Sequence, residues 1–151
     1  QYTTQFGATE GAAALMEETQ QYALPAAPGL KGREARGTRY TWIYPNMTFA
    51  LSQDSMWIYQ AFPLAQDRCH VIQTVCFPAD SVALDDFELR AKHYYDRIDA
   101  ALAEDLPFLE QQQLGLNSPF AKPGRFGTLE PSVGKFAYWY VQQMLRELKP
   151  G

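Results

Sequence analysis

The chain has 151 residues, is 46% hydrophobic and 14% aromatic, and carries a formal charge of −4. That length suits one domain with a real core, and the composition excludes the disordered class. No basic stripe gathers on any segment, which argues against nucleic acid; no apolar run reaches the roughly 18 residues of a membrane span, and no secretory signal is visible.

Residues 1–39 are mixed. Thr9 is placed to cap a short helix through about Tyr22, with Glu10 in its first turn. The stretch that follows holds Pro25, Pro28, Gly29, Gly32 and Gly37 and reads as a long, mobile loop. Residues 40–78 change character. "YTWIYPNMTFAL", "MWIYQAF" and "CHVIQTVCF" are rich in β-branched and aromatic residues, and "SQDS" and "PLAQDR" separate them as turns. These signals predict a three-stranded antiparallel meander, with Met47, Phe49 and Leu51 on one buried face and Pro45 at a bulge or strand start.

Cys69 and Cys76 are seven residues apart, an odd separation that puts them on opposite faces of one strand. Reduced, buried cysteines in a cytoplasmic protein are therefore expected. Residues 84–114 carry a long helical pattern. Asp85 or Asp86 stands at its start, and Phe87, Ala91, Tyr94, Ile98 and Leu102 recur at three- and four-residue steps. The next positions of that stripe are Asp105 and Leu109. Pro107 should kink or restart the helix, because it lacks an N–H and crowds the preceding turn, and Gly115 should end it. A turn-rich loop covers 117–128. A last helix is expected from about 131 to 148, with Phe136, Tyr140, Val141, Met144 and Leu148 on its apolar face and Lys149 and Pro150 closing it. Strands followed by helices indicate an α+β fold. A long helix lying across a curved antiparallel sheet leaves a cavity between them, a natural place for a small-molecule site.

Asp105 is the main candidate for chemistry. A carboxylate on an apolar face must be paired, protonated or bound to metal, or else it caps a helix restarted at Pro107. The neighbouring Glu104 diverges from it by about 100° around the helix and reads as a solvated charge. His70 falls in a strand. His93 lies about three turns, roughly 16 Å, before Asp105, too far to share one metal along a continuous helix. Packing or surface roles suit both histidines. Trp42, Trp57 and Tyr59 read as core, with the lining of an apolar pocket as the other reading. No phosphate-binding glycine motif or G-x-S-x-G is present.

An ordered set of residues carries a resemblance: Glu104-Asp105, Glu110, Gln113-Leu114-Gly115-Leu116-Asn117-Ser118, Gly124-Arg125, Glu130 and Phe136, with Tyr44-Pro45-Asn46 upstream. Over residues 40–145 the chain resembles the C-terminal part of the catalytic α subunit of Rieske non-haem iron oxygenases, the aromatic-ring-hydroxylating dioxygenases and their monooxygenase relatives. The resemblance implies a helix-grip (START-like) catalytic domain, present here as an incomplete fragment. It implies mononuclear Fe(II) held by two histidines and one carboxylate, with Asp105 at the carboxylate position; such a triad leaves positions open for O2 and suits Fe(II). Ile98 and Ala101, on the same helical face, are expected to touch substrate from their phase alone.

The resemblance further implies an aromatic or hydrophobic substrate, a Rieske 2Fe–2S cluster as electron source, a ferredoxin or reductase donor, and a homotrimeric parent. The family's paired iron histidines and its Cys-x-His and Cys-x-x-His cluster ligands have no counterpart in the 151 residues. With Gln1 in first place, the chain reads as the C-terminal portion of the parent's catalytic domain, inactive by itself. The rival expectation from another class is a non-enzymatic helix-grip module that binds a small molecule, with Asp105 as a cap or polar anchor. A weaker third option is a degenerate oxygenase paralogue kept for assembly.

Overall fold

Five antiparallel strands follow one another in chain order across a single sheet: β1 (Tyr2–Ala8), β2 (Gly37–Ile43), β3 (Met47–Leu51), β4 (Met56–Ala65) and β5 (Arg68–Cys76). The structure, a computed structural model, describes residues 1–9 and 11–148; Glu10, Lys149 and Pro150, expected at helix ends, lie outside them. The meander therefore has five strands where three were expected, for two reasons. Tyr44-Pro45-Asn46 is a hairpin turn with a cis Tyr44–Pro45 bond, so 40–51 is two strands rather than one interrupted by a bulge. The other reason is β1, whose alternation of Tyr2, Thr4 and Phe6 with Thr3 and Gln5 is too polar to stand out. It pairs with β2 along its whole length, from Tyr2 opposite Ile43 to Ala8 opposite Gly37. A side chain on Gly37 would collide with the Gly7 carbonyl and the Phe6 ring, so this close strand approach requires glycine there.

Register sorts the side chains into two faces. Thr3 lies opposite Trp42, Trp42 opposite Thr48, Thr48 opposite Tyr59, and Tyr59 opposite Gln73, so these share one face. Two-residue steps add Gln5, Tyr40, Ala50 and Trp57 to it. The other face carries Tyr2, Ile43, Leu51, Phe62 and Ile72, all exposed. Cys69 and Cys76 are free and fall on opposite faces of β5, as their spacing requires; Cys69 is exposed rather than buried, because it sits near the open tip of the β4–β5 hairpin.

After a short α1 (Ala79–Val82), the long helix α2 spans Phe87–Leu116. Ala91, Tyr94 and Ile98 of the expected stripe are at most 1% exposed. Asp86 is the N-cap residue but makes no side-chain cap bond; its Oδ2 accepts from Arg90 Nε at 2.8 Å instead. Pro107 neither ends nor restarts the helix. The carbonyl it leaves unbonded, on Ala103, lies on the exposed side, where water can replace the missing N–H. Gly115 sits inside the last turn, and Asn117 is the C-cap. The third helix, α3 (Pro131–Glu147), begins with proline at its first turn, where the missing N–H costs nothing. Only the start of its apolar face is packed: Phe136 stacks on Trp42 at 4.3 Å, while Tyr140, Val141, Met144 and Leu148 are exposed.

The helix expected from Thr9 is instead an irregular segment leading to a 3-10 turn at Glu17–Tyr22. The side chain of Gln20 takes over the backbone groups a helix would have used, accepting from Ala12 N at 2.9 Å and donating to Ala12 O at 3.0 Å. Ala12, Ala14, Leu15 and Leu24 of this segment close the core against Tyr94. The following loop holds a second 3-10 turn, Gly32–Ala35, and is tied to the β3–β4 turn by Ala27 N donating to Gln53 O at 2.7 Å. The result is an α+β fold with a long helix gripped against one face of an antiparallel sheet.

Candidate functional site

A cavity of about 420 Å³ opens between the inner sheet face and the helices, within the size range of small-molecule sites. Thr3 and Gln5 of β1, Tyr40 and Trp42 of β2, Thr48 and Ala50 of β3, and Trp57 and Tyr59 of β4 form its floor. Thr41 and Phe49 of the sheet, Ala101 and Asp105 of α2 and Ser132 of α3 also line it.

Two turns of α2 before the cavity, packing and polar bonds lock the helix in register. Tyr94 Oη donates to Asp54 Oδ2 at 2.6 Å and accepts from Leu24 N at 2.8 Å; Ser55 Oγ donates to Asp54 Oδ1 at 3.2 Å. Asp54 and Tyr94 are both 0% exposed. Burial raises the Asp54 carboxyl above the usual range, with the Tyr94 and Ser55 bonds pulling the other way. Burial and the bond to Asp54 also raise the Tyr94 phenol, so it remains a donor throughout the accessible pH range. Farther along, Asp99 Oδ1 accepts from Gln73 Nε2 of β5 at 2.7 Å, and the Arg97 guanidinium lies 5.9 Å from the Trp57 ring centre.

Ile98 is 1% exposed in the packed region and does not line the cavity. Ala101 does, and its single methyl leaves the space beneath α2 open. Asp105, one turn on, is exposed and is the only carboxylate among the described residues that line the cavity. Because α2 passes through Pro107 unbroken, Asp105 is a mid-helix residue and caps nothing. Its charge is felt by Tyr59, whose phenol is raised by burial first and by Asp105 second, with Arg97 opposing. Tyr59 thus holds its proton and is a potential donor beside a carboxylate.

The histidines lie elsewhere. His70 is an odd number of residues from Gln73 along β5, so it occupies the outer face, opposite Phe62. His93 stacks on Tyr22 with ring centres 3.9 Å apart. Among the described residues no three His, Cys, Asp or Glu side chains converge on a possible metal position. The donor set of this chain alone does not fit an iron ion, since a facial triad needs two nitrogen donors besides Asp105.

Sequence reasoning named Asp105, Ala101 and the aromatic floor but missed Thr3, Gln5 and Ser132. The available signal was the run of threonines in a period-2 stretch ending at Gly7, and proline at the first turn of α3, which puts Ser132 next. At the same edge Phe136 contacts Trp42 and Tyr44, which pins the start of α3 over β1 and β2.

Among the described residues no helix is long and apolar enough to cross a membrane. No curated protein matches the chain. A family model described as "Ring hydroxylating alpha subunit (catalytic domain)" matches residues 2–146, nearly the whole chain. The gripped helix, the cavity and that match agree: the chain belongs to the family of ring-hydroxylating oxygenase α-subunit catalytic domains.

Proposed function

We propose that this chain is the C-terminal portion of a catalytic domain that hydroxylates an aromatic or other hydrophobic substrate with O2 at mononuclear Fe(II). Membership of the ring-hydroxylating family supports an oxidoreductase role. The single observation that carries the finer reading is Asp105: the one acidic side chain among the described residues of the cavity lining, held on an unbroken helix above an aromatic floor. In this reading Asp105 supplies the carboxylate of the iron site, and two histidines outside the 151 residues supply the rest. Fe(II) held there would supply O2 activation, with electrons from a Rieske 2Fe–2S cluster in the parent, fed by a ferredoxin or reductase. The residues in hand bind and orient: Trp42, Trp57 and Tyr59 offer ring faces, Ala101 leaves room, and α2 covers one side of the cavity.

Surface chemistry supports a larger parent. The outer sheet face, the end of α2 (Phe108, Leu114 and Leu116) and the far part of α3 all expose large apolar side chains, more than a free-standing domain usually shows. A homotrimeric, cytoplasmic parent is part of the same proposal.

The test is iron content. In the full-length parent, Asp105→Ala should abolish mononuclear iron binding and turnover while leaving the Rieske spectrum intact. Stoichiometric iron and substrate oxidation by the isolated 151 residues would overturn the assignment. If the coding sequence upstream of Gln1 lacks two closely spaced histidines and the paired Cys/His cluster ligands, the non-enzymatic binding module takes its place.

A further inference from the structure

The cavity has one polar corner. Thr3 Oγ1 and Ser132 Oγ share a hydrogen bond of 3.2 Å, and Gln5 Nε2 donates to Ser132 Oγ at 2.9 Å. All three residues line the cavity, whose floor is otherwise dominated by Tyr40, Trp42, Trp57 and Tyr59. The corner sits on β1 and the first turn of α3. Asp105 of α2 lines the same cavity, near enough to Tyr59 of β4 for its charge to be felt there, and β4 lies three strand spacings, about 14 Å, from β1. The cavity thus has a hydrogen-bonded polar cluster at the β1 edge and a carboxylate elsewhere in its lining, with Thr48 and aromatic rings also on the floor.

The corner has unused bonding capacity. Thr3 and Ser132 bring two hydroxyl hydrogens, of which their mutual bond uses one; the other hydrogen and the Gln5 amide oxygen have no partner among the described residues. A ligand group there can therefore both accept and donate. Charge narrows the choice further. No Lys or Arg is among the described residues that line the cavity. A carboxylate or sulfonate ligand would find no cationic side chain in the lining to pair with.

We propose that Thr3, Gln5 and Ser132 form a specificity anchor that selects a neutral aromatic substrate bearing a hydroxyl or carbonyl group, and holds that group at the β1 edge with the ring toward Asp105. The inference rests on the reading of this cavity as the substrate site, but not on iron. A site that hydrogen-bonds a substituent rejects the analogue lacking it, because its own polar groups are then left unpaired.

The experiment is anaerobic equilibrium dialysis of the full-length parent against naphthalene, 2-naphthol and 2-naphthoate, comparing wild type with Ser132→Ala and Gln5→Leu, all checked for folding by circular dichroism. One lost neutral hydrogen bond corresponds to roughly a three- to tenfold change in affinity. The expected result is a naphthol-to-naphthalene affinity ratio lower by that factor in each variant, with 2-naphthoate the weakest ligand. An unchanged ratio in both variants, tightest binding of the naphthoate, or binding of none of the three overturns the proposal. Gln5 is exposed, so Gln5→Leu decides the matter if Ser132→Ala fails to fold. The two readings fail separately: loss of iron in Asp105→Ala with an unchanged ratio retains the oxygenase and removes the anchor, and the converse retains only the anchor.

Discussion

Tyr94→Phe deletes one oxygen from a fully buried position and leaves two groups short. The Leu24 N–H loses its acceptor at 2.8 Å, and the Asp54 carboxylate loses its donor at 2.6 Å, keeping Ser55 at 3.2 Å. An unpaired buried donor costs about 1–3 kcal/mol and a lost bond to a charged group about 1.5–3 kcal/mol, so the variant should lose about 3 kcal/mol or more. At this chain length that is a fall in Tm of roughly 6–12 °C. Urea denaturation of wild type, Tyr94→Phe and Asp54→Asn measures it. Asp54→Asn keeps the shape and still accepts from Tyr94, so it should stay within about 1 kcal/mol of wild type near neutral pH. The pH dependence has a definite sign. Burial raises the native Asp54 pKa above its unfolded value of about 3.9. Between those two values the native state holds a proton that the unfolded chain has released, so stability falls as pH rises. The contribution is complete below the unfolded pKa and lost once the pH has passed the raised native value. Asp54→Asn should flatten that slope, and Tyr94→Phe should extend it to higher pH, because the Tyr94 bond is the largest of those that hold the carboxyl down. A cost below about 1 kcal/mol for Tyr94→Phe, or an identical slope in Asp54→Asn, would refute the reasoning.

Two further outcomes follow from the same geometry. Cys69 is exposed and Cys76 half-buried on the other face of β5, so a thiol reagent should label one cysteine rapidly in the native protein and both in denaturant; a single slow phase would contradict the strand register. Pro107→Ala restores an N–H to the exposed Ala103 carbonyl in mid-helix, and should stabilise the chain by about 1–3 kcal/mol in urea. A loss of stability would mean that the proline ring is needed for packing.

How much of this was legible in the sequence differed from element to element. The face of α2 was readable because Phe87, Ala91, Tyr94 and Ile98 bury large groups at helical spacing, and burial of that kind leaves a periodic trace. β1 left only a faint, polar one: it is an edge strand with Thr3, Gln5 and Gly7 on its inner side, and its pairing with β2 depends on residues some thirty-five positions away. Pro45 misled because a proline fits a strand start, a bulge and a hairpin turn equally well, and only the register of Ile43 opposite Met47 distinguishes them. The Asp54–Tyr94 bond spans forty residues and has no local signature at all.

Asp105 shows the sharpest limit. Its phase on the α2 stripe was right, yet it is exposed while Ile98 is buried. Periodicity reports which side of a helix faces the sheet; it does not report whether the space between them is filled. Tyr94 and Ile98 fill that space, and Ala101 and Asp105 stand over the cavity where it is left open. The transition takes place within one turn and coincides with the exchange of a branched side chain for a methyl group at Ala101. An acid on an apolar stripe is therefore informative for a reason other than burial. In this chain it marks where a packed core gives way to a cavity, with the carboxylate standing at that boundary as part of the cavity lining.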